Sequence, residues 1–382
     1  MSPPLDTPEA PEWRTLTEGS PIPFRYKLNH VHRTWAKTHF ARPELYLQPE
    51  NVPEIQQIVN TARQCRKKLI TVGSGHSPGE ITVPGAPADT WIINLDNFNR
   101  VLGEEEAMDE DGKRRLLITV EVGIRLHQLA SALAERGWSM PNLGSIWEQS
   151  LAGAIATATH GSSIHHGLLS ENVQRLTIML SDGKSYECSH DKNPELFQAA
   201  LVSLGALGII THITYSAVSA YRISWQQEIM KLPTMLSLWE NGLWTEKEYS
   251  RVWWFPYSER TVVWRAEKVA KKEWFDEETK QWNGEFVGAN AELSQPPYSW
   301  YGSKMGYHAY QLMLYAAMWV PWITPYVERF VFRTQYGWNE EVIGKATQNG
   351  EQALLMDCLF SQYVNEVCSH FRPSLVLLNI EI

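Results

Sequence analysis

The sequence feature that most constrains the fold is a short apolar strand that opens directly onto a glycine-rich loop. Residues 69–72 read Leu-Ile-Thr-Val, and residues 73–79 contain three glycines. Glycine permits backbone conformations that a side chain forbids, so this loop is typical of a functional turn. The preceding residues 51–68 place Ile55, Ile58 and Val59 at the spacing of an amphipathic helix. Helix, strand and loop together predict an α/β or α+β fold.

A second segment, residues 144–163, is rich in Gly, Ala and Ser. These small residues fill an ordinary core poorly, but they let the backbone pass close to a flat ligand. Hydrophobic periodicity predicts strands over residues 91–95, 116–122, 173–180, 185–188 and 207–218, and helices over 125–136 and 195–204. The turn at Asp182 and Gly183 predicts a hairpin, and the first domain is expected to end at Val218.

Composition and charge exclude several classes of function. The chain has 382 residues and a formal net charge of −9, without a long basic run, so nucleic acid is a poor candidate partner. The four cysteines lie too far apart for a zinc ribbon or a disulfide scaffold, and no metal-binding motif is present. They predict reduced thiols in an intracellular compartment. The first twenty residues lack the basic start and apolar centre of a secretory signal.

One uncharged interval, residues 305–327, is a candidate for membrane contact. Pro321 and Pro325 interrupt it, so it does not provide a clean transmembrane span. Three interpretations remain open: a buried helix, an interfacial membrane contact and a true span. The Trp and Tyr content favours an interface over a span.

The composition shifts toward aromatic residues beyond Tyr221. Residues 253–257 and 261–264 predict two strands of a second domain. Their aromatic side chains could line a substrate cavity, or they could simply fill a core between a sheet and helices. Residues 268–295 are charged and turn-rich, which predicts an exposed loop.

The two small-residue segments, LITVGSGHSPGEI at residues 69–81 and residues 142–173, together resemble the vanillyl-alcohol-oxidase-type flavoproteins. The sequence is identified as a member of their sugar-1,4-lactone oxidase family, and its pattern is similar to that of the fungal D-arabinono-1,4-lactone oxidases over residues 31–366. The resemblance implies an α+β fold with a two-subdomain FAD-binding domain over residues 31–218. An incomplete cap domain for the substrate follows over residues 219–366, between a mobile tail at residues 1–30 and an unrelated tail at 367–382.

The resemblance also implies a cofactor site. The loop at residues 73–77 would bind the FAD pyrophosphate through backbone amides, and His76 would hold the flavin covalently. Neutral imidazole is nucleophilic, which suits that bond; alternatively, His76 donates a hydrogen bond to pyrophosphate. The implied cofactor-binding residues are Gly73, Ser74, Gly75, His76, Ser77, Ser145, Gln149, Ser150, Gly153, Ala154, Thr159, His160, Gly161, Ile209 and Ile210. Ile209 and Ile210 could equally be strand core.

The reaction implied by the resemblance is FAD-dependent oxidation of an aldono-1,4-lactone, of the type that converts D-arabinono-1,4-lactone to D-erythroascorbate. Molecular oxygen would accept the electrons and yield hydrogen peroxide, and Gly144 stands at the family position associated with oxygen access. The same resemblance implies an intracellular, membrane-associated protein, in mitochondria by analogy with relatives. The segment between Tyr307 and Phe332 is the candidate membrane contact.

The sequence departs from the family near its end. The family carries a Glu-x-Arg pair after the segment that corresponds to residues 358–363, and the only such pair here is Glu12 with Arg14. The catalytic residues therefore remain unassigned. The resemblance ends after Glu366, and Val367 could mark translation into an unspliced intron. Alternatives to an active oxidase are a flavin-binding but inert chain, a fragment that does not fold, and a dehydrogenase that uses another electron acceptor.

Overall fold

The computed structural model describes residues 24–35, 39–77, 79–83, 89–287, 304–354 and 379–381. The chain divides into two compact units. The first comprises Met1–Arg136, Ile146–Thr159 and Leu168–Val218, and the second comprises Gly137–Ser145, His160–Gly167 and Ser219–Ile382. The segments Glu12 to Arg14 and 358–378 lie outside the described residues.

A small parallel sheet with one helix opens the first unit. Strands β3 (Leu45–Leu47), β5 (Thr90–Asn94) and β4 (Lys68–Val72) pair in that order, after a short pair formed by β1 (His32–Arg33) and β2 (Phe40–Ala41). Helix α1 (Val52–Gln64) begins at Asn51, whose side chain accepts a hydrogen bond from the Glu54 backbone N–H, and it buries the predicted apolar face. The predicted helix, strand and loop are confirmed.

An antiparallel sheet forms the rest of the first unit. Its order is β10 (Ser185–Ser189), β9 (Val173–Met179), β11 (Ile209–Ser219), β7 (Arg114–Glu121) and β6 (Val101–Met108). The accompanying helices are α2 (Leu126–Ala134), α3 (Leu151–Ala156) and α4 (Pro194–Leu201), with 3-10 turns at Glu80–Thr82 and Leu169–Asn172. The predicted β9–β10 hairpin is confirmed, and its Gly183 adopts φ +79°. Strand β6 was not predicted. Five consecutive residues of its eight are exposed, so buried and exposed positions do not alternate along it.

The second unit is built on an antiparallel sheet. The described order is β17 (Val342–Asn349), β12 (Arg222–Lys231), β14 (Arg260–Lys268), β13 (Tyr249–Phe255) and β18 (Asn379–Glu381). The predicted pairing of the two aromatic strands is confirmed as β13 with β14. Phe255, Val262 and Ile229 pack with Phe332 and Tyr336 in one core cluster. The remaining elements are β8 (Trp138–Ser139), β15 (Lys271–Asp276), β16 (Gln281–Phe286), α5 (Leu232–Glu240), α6 (Lys304–Trp319), α7 (Thr324–Gln335) and α8 (Gly350–Leu354).

Two expectations for the second unit need correction. The charged segment after Lys268 is exposed, as expected, but strands β15 and β16 form a regular antiparallel hairpin instead of a loop. Cross-strand pairs such as Phe275 with Trp282 stabilise a ladder that a charged sequence does not reveal.

The interval between Lys304 and Glu328 folds into α6, a 3-10 turn at Pro321–Ile323, and α7. The buried-helix interpretation is wrong for much of its surface, because Leu312, Trp319 and Trp322 are 70%, 82% and 71% exposed. Only part of the pair is covered, where Val331 packs with Met313 and Leu314. Within the described chain, each helix is too short or too polar to cross a membrane.

The start of the described chain is ordered against the first unit. Phe24 is 3% exposed and meets Trp91 edge-on, and Lys27 exchanges two backbone hydrogen bonds with Tyr46. These residues fall within the segment 1–30 that was expected to be a mobile tail. The buried Phe24 ring and the backbone hydrogen bonds of Lys27 together hold this short stretch of chain.

Candidate active site

A cavity of about 550 Å³ in the first unit is the candidate site. It is bordered by the loop that follows β4, the start of α3, and the loop that leads into β11. These are the two small-residue segments found in the sequence and a third, glycine-containing loop at residues 203–208. Many of the residues that line the cavity are Gly, Ala or Ser, as the sequence indicated.

Two carbonyl groups of the loop at residues 73–77 accept hydrogen bonds, one from a backbone N–H and one from a side chain. Gly75 adopts φ +73°, a conformation that favours glycine, and its carbonyl accepts a 2.7 Å hydrogen bond from the Trp35 backbone N–H. The Gly73 carbonyl accepts a 3.2 Å hydrogen bond from Nδ2 of Asn94 at the end of β5. The loop is thus fixed before any ligand binds.

His76 is the one titratable side chain that this loop contributes. Its Nδ1 lies 2.6 Å from Oγ of Ser74, and the Trp35 ring stacks on the imidazole with 5.0 Å between centroids. Burial, and to a smaller extent the charge of Arg125, lowers the pKa of His76 to about 4. The imidazole is therefore neutral at physiological pH, which is the state a nucleophilic histidine requires.

The second motif meets the first at Gly73. A Cβ atom on Gly73 would lie 2.2 Å from Oγ of Ser150, so no side chain fits at this position. Ser150 also begins α3, where its Oγ accepts a 3.3 Å hydrogen bond from the Gly153 backbone N–H. The two motifs are 77 positions apart at these residues and form one continuous wall.

Sequence reasoning missed a charged pair at this wall. Asp96 lines the cavity and forms an ion pair with Arg125, whose Nη1 also donates a 2.9 Å hydrogen bond to the Glu148 carbonyl. Nη1 of Arg125 would lie 3.9 Å from a Cβ at Gly73. One signal was available, because Asp96 follows the carboxyl end of a strand in a parallel sheet, where ligand-binding residues collect.

The cavity brings together ten of the fifteen residues assigned to the cofactor by resemblance. These are Gly73, Ser74, Gly75, His76, Ser77, Gln149, Ser150, Gly153, Ile209 and Ile210. Ala154, which lies on α3, is fully buried. Thr159 accepts a 3.3 Å hydrogen bond from Nε2 of Gln149, so it lies behind a cavity residue.

The remaining residues of that assignment, Ser145, His160 and Gly161, belong to the second unit, as does Gly144. Gly161 lies in close contact with Asn142, whose Oδ1 would be 2.0 Å from a Cβ at that position. Nδ1 of His160 lies 2.8 Å from the Gly161 carbonyl. Within the described residues, none of the acidic, His and Cys side chains form a group that could hold a metal ion.

The chemistry of the cavity fits a flavin dinucleotide. Backbone amides of a glycine-rich loop suit pyrophosphate, and small residues at the crossing point of the two motifs leave space for a flat ring. A single neutral imidazole stands in the loop as a potential nucleophile. The site thus combines an anion-binding loop, an apolar wall and one reactive side chain.

Comparison with known proteins agrees with this geometry. Residues 43–189 match the family described as FAD binding domain, and residues 213–372 match the family described as D-arabinono-1,4-lactone oxidase. The latter match extends past Glu366, where the sequence resemblance was expected to end. Both matches follow the order of the two units along the chain.

Solved structures show the same fold. A cholesterol oxidase from Brevibacterium sterolicum aligns with a TM-score of 0.63 at 15% identity, over 88% of this chain and 60% of its own. A solvent-stable cholesterol oxidase aligns with a TM-score of 0.53 at 17% identity, over 63% of this chain and 48% of its own. The chain therefore shares the fold of these two oxidases, and its residues 43–189 match an FAD binding domain.

Sequence relatives narrow the class. A Neurospora crassa protein, provisionally named D-arabinono-1,4-lactone oxidase, is 47% identical to this chain. The alignment covers 90% of this chain and 58% of the Neurospora protein. The D-arabinono-1,4-lactone oxidase of Yarrowia lipolytica is 43% identical over 88% of this chain and 60% of its own length. Residues along most of this chain are thus similar to D-arabinono-1,4-lactone oxidases. It spans about three fifths of the length of these relatives.

Proposed function

We propose that the cavity of the first unit binds FAD and that the protein oxidises an aldono-1,4-lactone of the D-arabinono type. The observation that carries this proposal is the meeting of the two motifs at Gly73 and Ser150 around one cavity. The names of the relatives supply the substrate class. The backbone amides of residues 73–77 would bind the pyrophosphate, and the Asp96–Arg125 pair would fix the wall beside it.

We propose that His76 forms the covalent bond to the flavin. Three features of its surroundings support this role: the neutral imidazole, the Ser74 hydroxyl at Nδ1 and the Trp35 ring that restricts rotation. Nε2 has no hydrogen-bond partner among the described residues, so one ring nitrogen is available. The test is mass analysis of the proteolytic peptide that contains His76. A peptide without flavin mass would contradict the covalent bond while leaving FAD binding intact.

Bound flavin would supply the redox chemistry, accepting hydride from the lactone and passing the electrons to oxygen, which yields hydrogen peroxide. The protein's part is to orient the sugar ring and exclude water from it. Gly144 is proposed to permit oxygen access, on the family resemblance alone.

Anaerobic addition of D-arabinono-1,4-lactone tests the reaction. Loss of the oxidised flavin absorbance, followed by peroxide when oxygen is admitted, is the expected result. Flavin that stays oxidised would indicate an inert flavin-binding chain, and reduction without peroxide would indicate a dehydrogenase. Gly144→Ala should slow reoxidation by more than it slows reduction by lactone.

We also propose that the α6–α7 pair contacts a membrane surface between Tyr307 and Phe332, in mitochondria by analogy with relatives. Trp319, Trp322 and Tyr326 are exposed, and amphipathic aromatic rings favour the headgroup region. Sedimentation with anionic lipid vesicles tests this contact. The double variant Trp319→Ser/Trp322→Ser should lose binding. The matched variant Trp274→Ser/Trp282→Ser, on the exposed β15–β16 hairpin, should keep it.

A further inference from the structure

An acidic side chain lines the cavity of the first unit. Asp96 follows the end of strand β5 and borders the cavity. Among the described residues of the cavity lining, it is the one Asp or Glu. A carboxylate beside a loop that is proposed to bind pyrophosphate would repel that group, because like charges repel. Asp96 is therefore expected to face a different part of the ligand.

The protein fixes the direction of this carboxylate. The backbone N–H of Asp96 donates a 3.0 Å hydrogen bond to Oδ1 of Asn94, and its carbonyl accepts a 2.9 Å hydrogen bond from Nδ2 of Asn99. Oδ1 of Asp96 pairs with Nη2 of Arg125, whose side chain is only 15% exposed. Backbone and side chain are thus both held before a ligand binds.

The second carboxylate oxygen is left for a ligand. Among the described residues, none donates a hydrogen bond to Oδ2 of Asp96, and this side chain is 35% exposed. An ionised carboxylate can only accept hydrogen bonds, so the group that meets it must be a donor. A hydrogen bond to an ionised acceptor is stronger than one between neutral groups.

The place of Asp96 in the cavity indicates which donor it meets. Nδ2 of Asn94 donates to the Gly73 carbonyl, and Nη1 of Arg125 would lie 3.9 Å from a Cβ at Gly73. Asp96 is therefore close to the point where the two motifs meet, at Gly73 and Ser150, and where small residues leave space for a flat ring. In a flavin, the chain that joins the flat ring to the phosphate is ribityl, a polyol whose hydroxyl groups are hydrogen-bond donors.

We propose that Asp96 binds the polyol chain of the flavin, with Oδ2 accepting a hydrogen bond from a ribityl hydroxyl while Arg125 holds Oδ1. This inference rests on the proposed function, because it places a flavin in the cavity. It extends that function by assigning a residue to the part of the cofactor between the ring and the pyrophosphate.

The test uses a set of FAD analogues, each of which lacks one ribityl hydroxyl. Dissociation constants of FAD and of each analogue are measured on the full chain by flavin fluorescence. All proteins carry His76→Gln, so that binding stays reversible, and the chain with no other change is the parent. The parent should bind one analogue about tenfold more weakly than FAD, because a charge-assisted hydrogen bond is lost.

Variants of the ion pair assign that loss to the carboxylate. Asp96→Ala should bind FAD and the same analogue equally within about twofold, since the acceptor is gone. Asp96→Asn, which keeps the size of the side chain, should show an intermediate preference, because a neutral amide oxygen accepts a weaker hydrogen bond. Arg125→Met breaks the same ion pair but keeps the carboxylate, so it should still prefer FAD.

A second aspartate is the matched control. Asp109 also pairs with an arginine, Arg115, and is 21% exposed, but it does not line the cavity. Asp109→Ala should therefore keep the preference of the parent for FAD. An undiminished preference in both Asp96 variants would overturn the inference, and so would a parent that binds FAD and all analogues alike. A parent that binds no FAD would instead contradict the proposed function itself, and the inference with it.

Discussion

The cavity of the first unit and the core of the second unit depend on different kinds of contact. In the first unit, two cavity glycines are closely approached: a Cβ atom would lie 2.2 Å from the Ser150 hydroxyl oxygen at Gly73 and 1.8 Å from the Leu95 carbonyl oxygen at Gly123. In the second unit, the corresponding contacts are between side chains, as in the aromatic core around Phe332 and the ion pair of His166 with Glu248. A glycine that is closely approached by its neighbours tolerates no added side-chain atom, whereas a core of packed side chains tolerates replacement by a residue of similar shape.

The largest expected effect is in the second unit, at Phe332. This ring is fully buried, so Phe332→Ala should lower the free energy of unfolding by about 3–5 kcal/mol through lost transfer energy and a cavity. Phe332→Leu should recover a large part of that loss. Phe330, on the same helix and 51% exposed, is the control, and its replacement by Ala should cost less than about 0.5 kcal/mol. Chemical denaturation measures both; equal losses at the two positions would contradict the described packing.

Gly123 tests the first unit in the same way. Gly123→Ala places Cβ 1.8 Å from the Leu95 carbonyl oxygen and 2.6 Å from that of Phe98, and backbone cannot move aside cheaply. The expected loss in free energy of unfolding is about 3 kcal/mol, by the overpacking mechanism. Gly103→Ala, where nothing lies within 4 Å, should be neutral. If both variants unfold at the same denaturant concentration, the close approach at Gly123 is refuted.

The neutral state of His76 gives a pH dependence. The folded pKa is lowered to about 4 from 6.5, so the unfolded chain binds the proton first as the pH falls. Above pH 6.5 the His76 imidazole is neutral in both the folded and the unfolded chain, and the free energy of unfolding is at its full value. As the pH falls from 6.5 toward 4, only the unfolded chain binds the proton, so the free energy of unfolding decreases. Across this pH range, the free energy of unfolding of His76→Gln should therefore fall by about 1–3 kcal/mol less than that of the wild type. Parallel curves of stability against pH for the two proteins would show that His76 is not buried as described.

The smallest effect is expected at the exposed aromatic residues of α6. Trp319 is 82% exposed, and Trp319→Ser should change the free energy of unfolding by less than about 0.5 kcal/mol. A thermal unfolding curve suffices as the measurement. A loss above about 2 kcal/mol would mean that this side chain is buried by the fold, and its proposed membrane contact would lose its basis.

The difference between the units also explains what the sequence could predict. Helix α1, strand β4 and the two small-residue segments were predicted because glycines and apolar periodicity leave local signals. The ion pair of Asp96 with Arg125 was not, because the two residues lie 29 positions apart and only the fold brings them together. The same is true of His166 and Glu248, 82 positions apart.

Exposed strands and helices were the second group of elements that the sequence did not predict correctly. Strand β6 and the β15–β16 hairpin carry charged, exposed residues, so neither has the alternating pattern of a strand with one buried face. Their ladders are backbone hydrogen bonds, which leave little trace in composition. For the α6–α7 segment the sequence left a buried helix, an interfacial contact and a span open, and several of its apolar residues are exposed.

The most direct test of the account is whether flavin remains with the polypeptide after acid denaturation. The wild-type chain and His76→Gln would be expressed with FAD, precipitated in acid, and assayed for flavin fluorescence in the pellet. We expect flavin in the wild-type pellet and none in the variant pellet, although the native variant should still carry some FAD. Wild-type protein that is colourless before denaturation would contradict the claim that the two motifs assemble a flavin site in this chain.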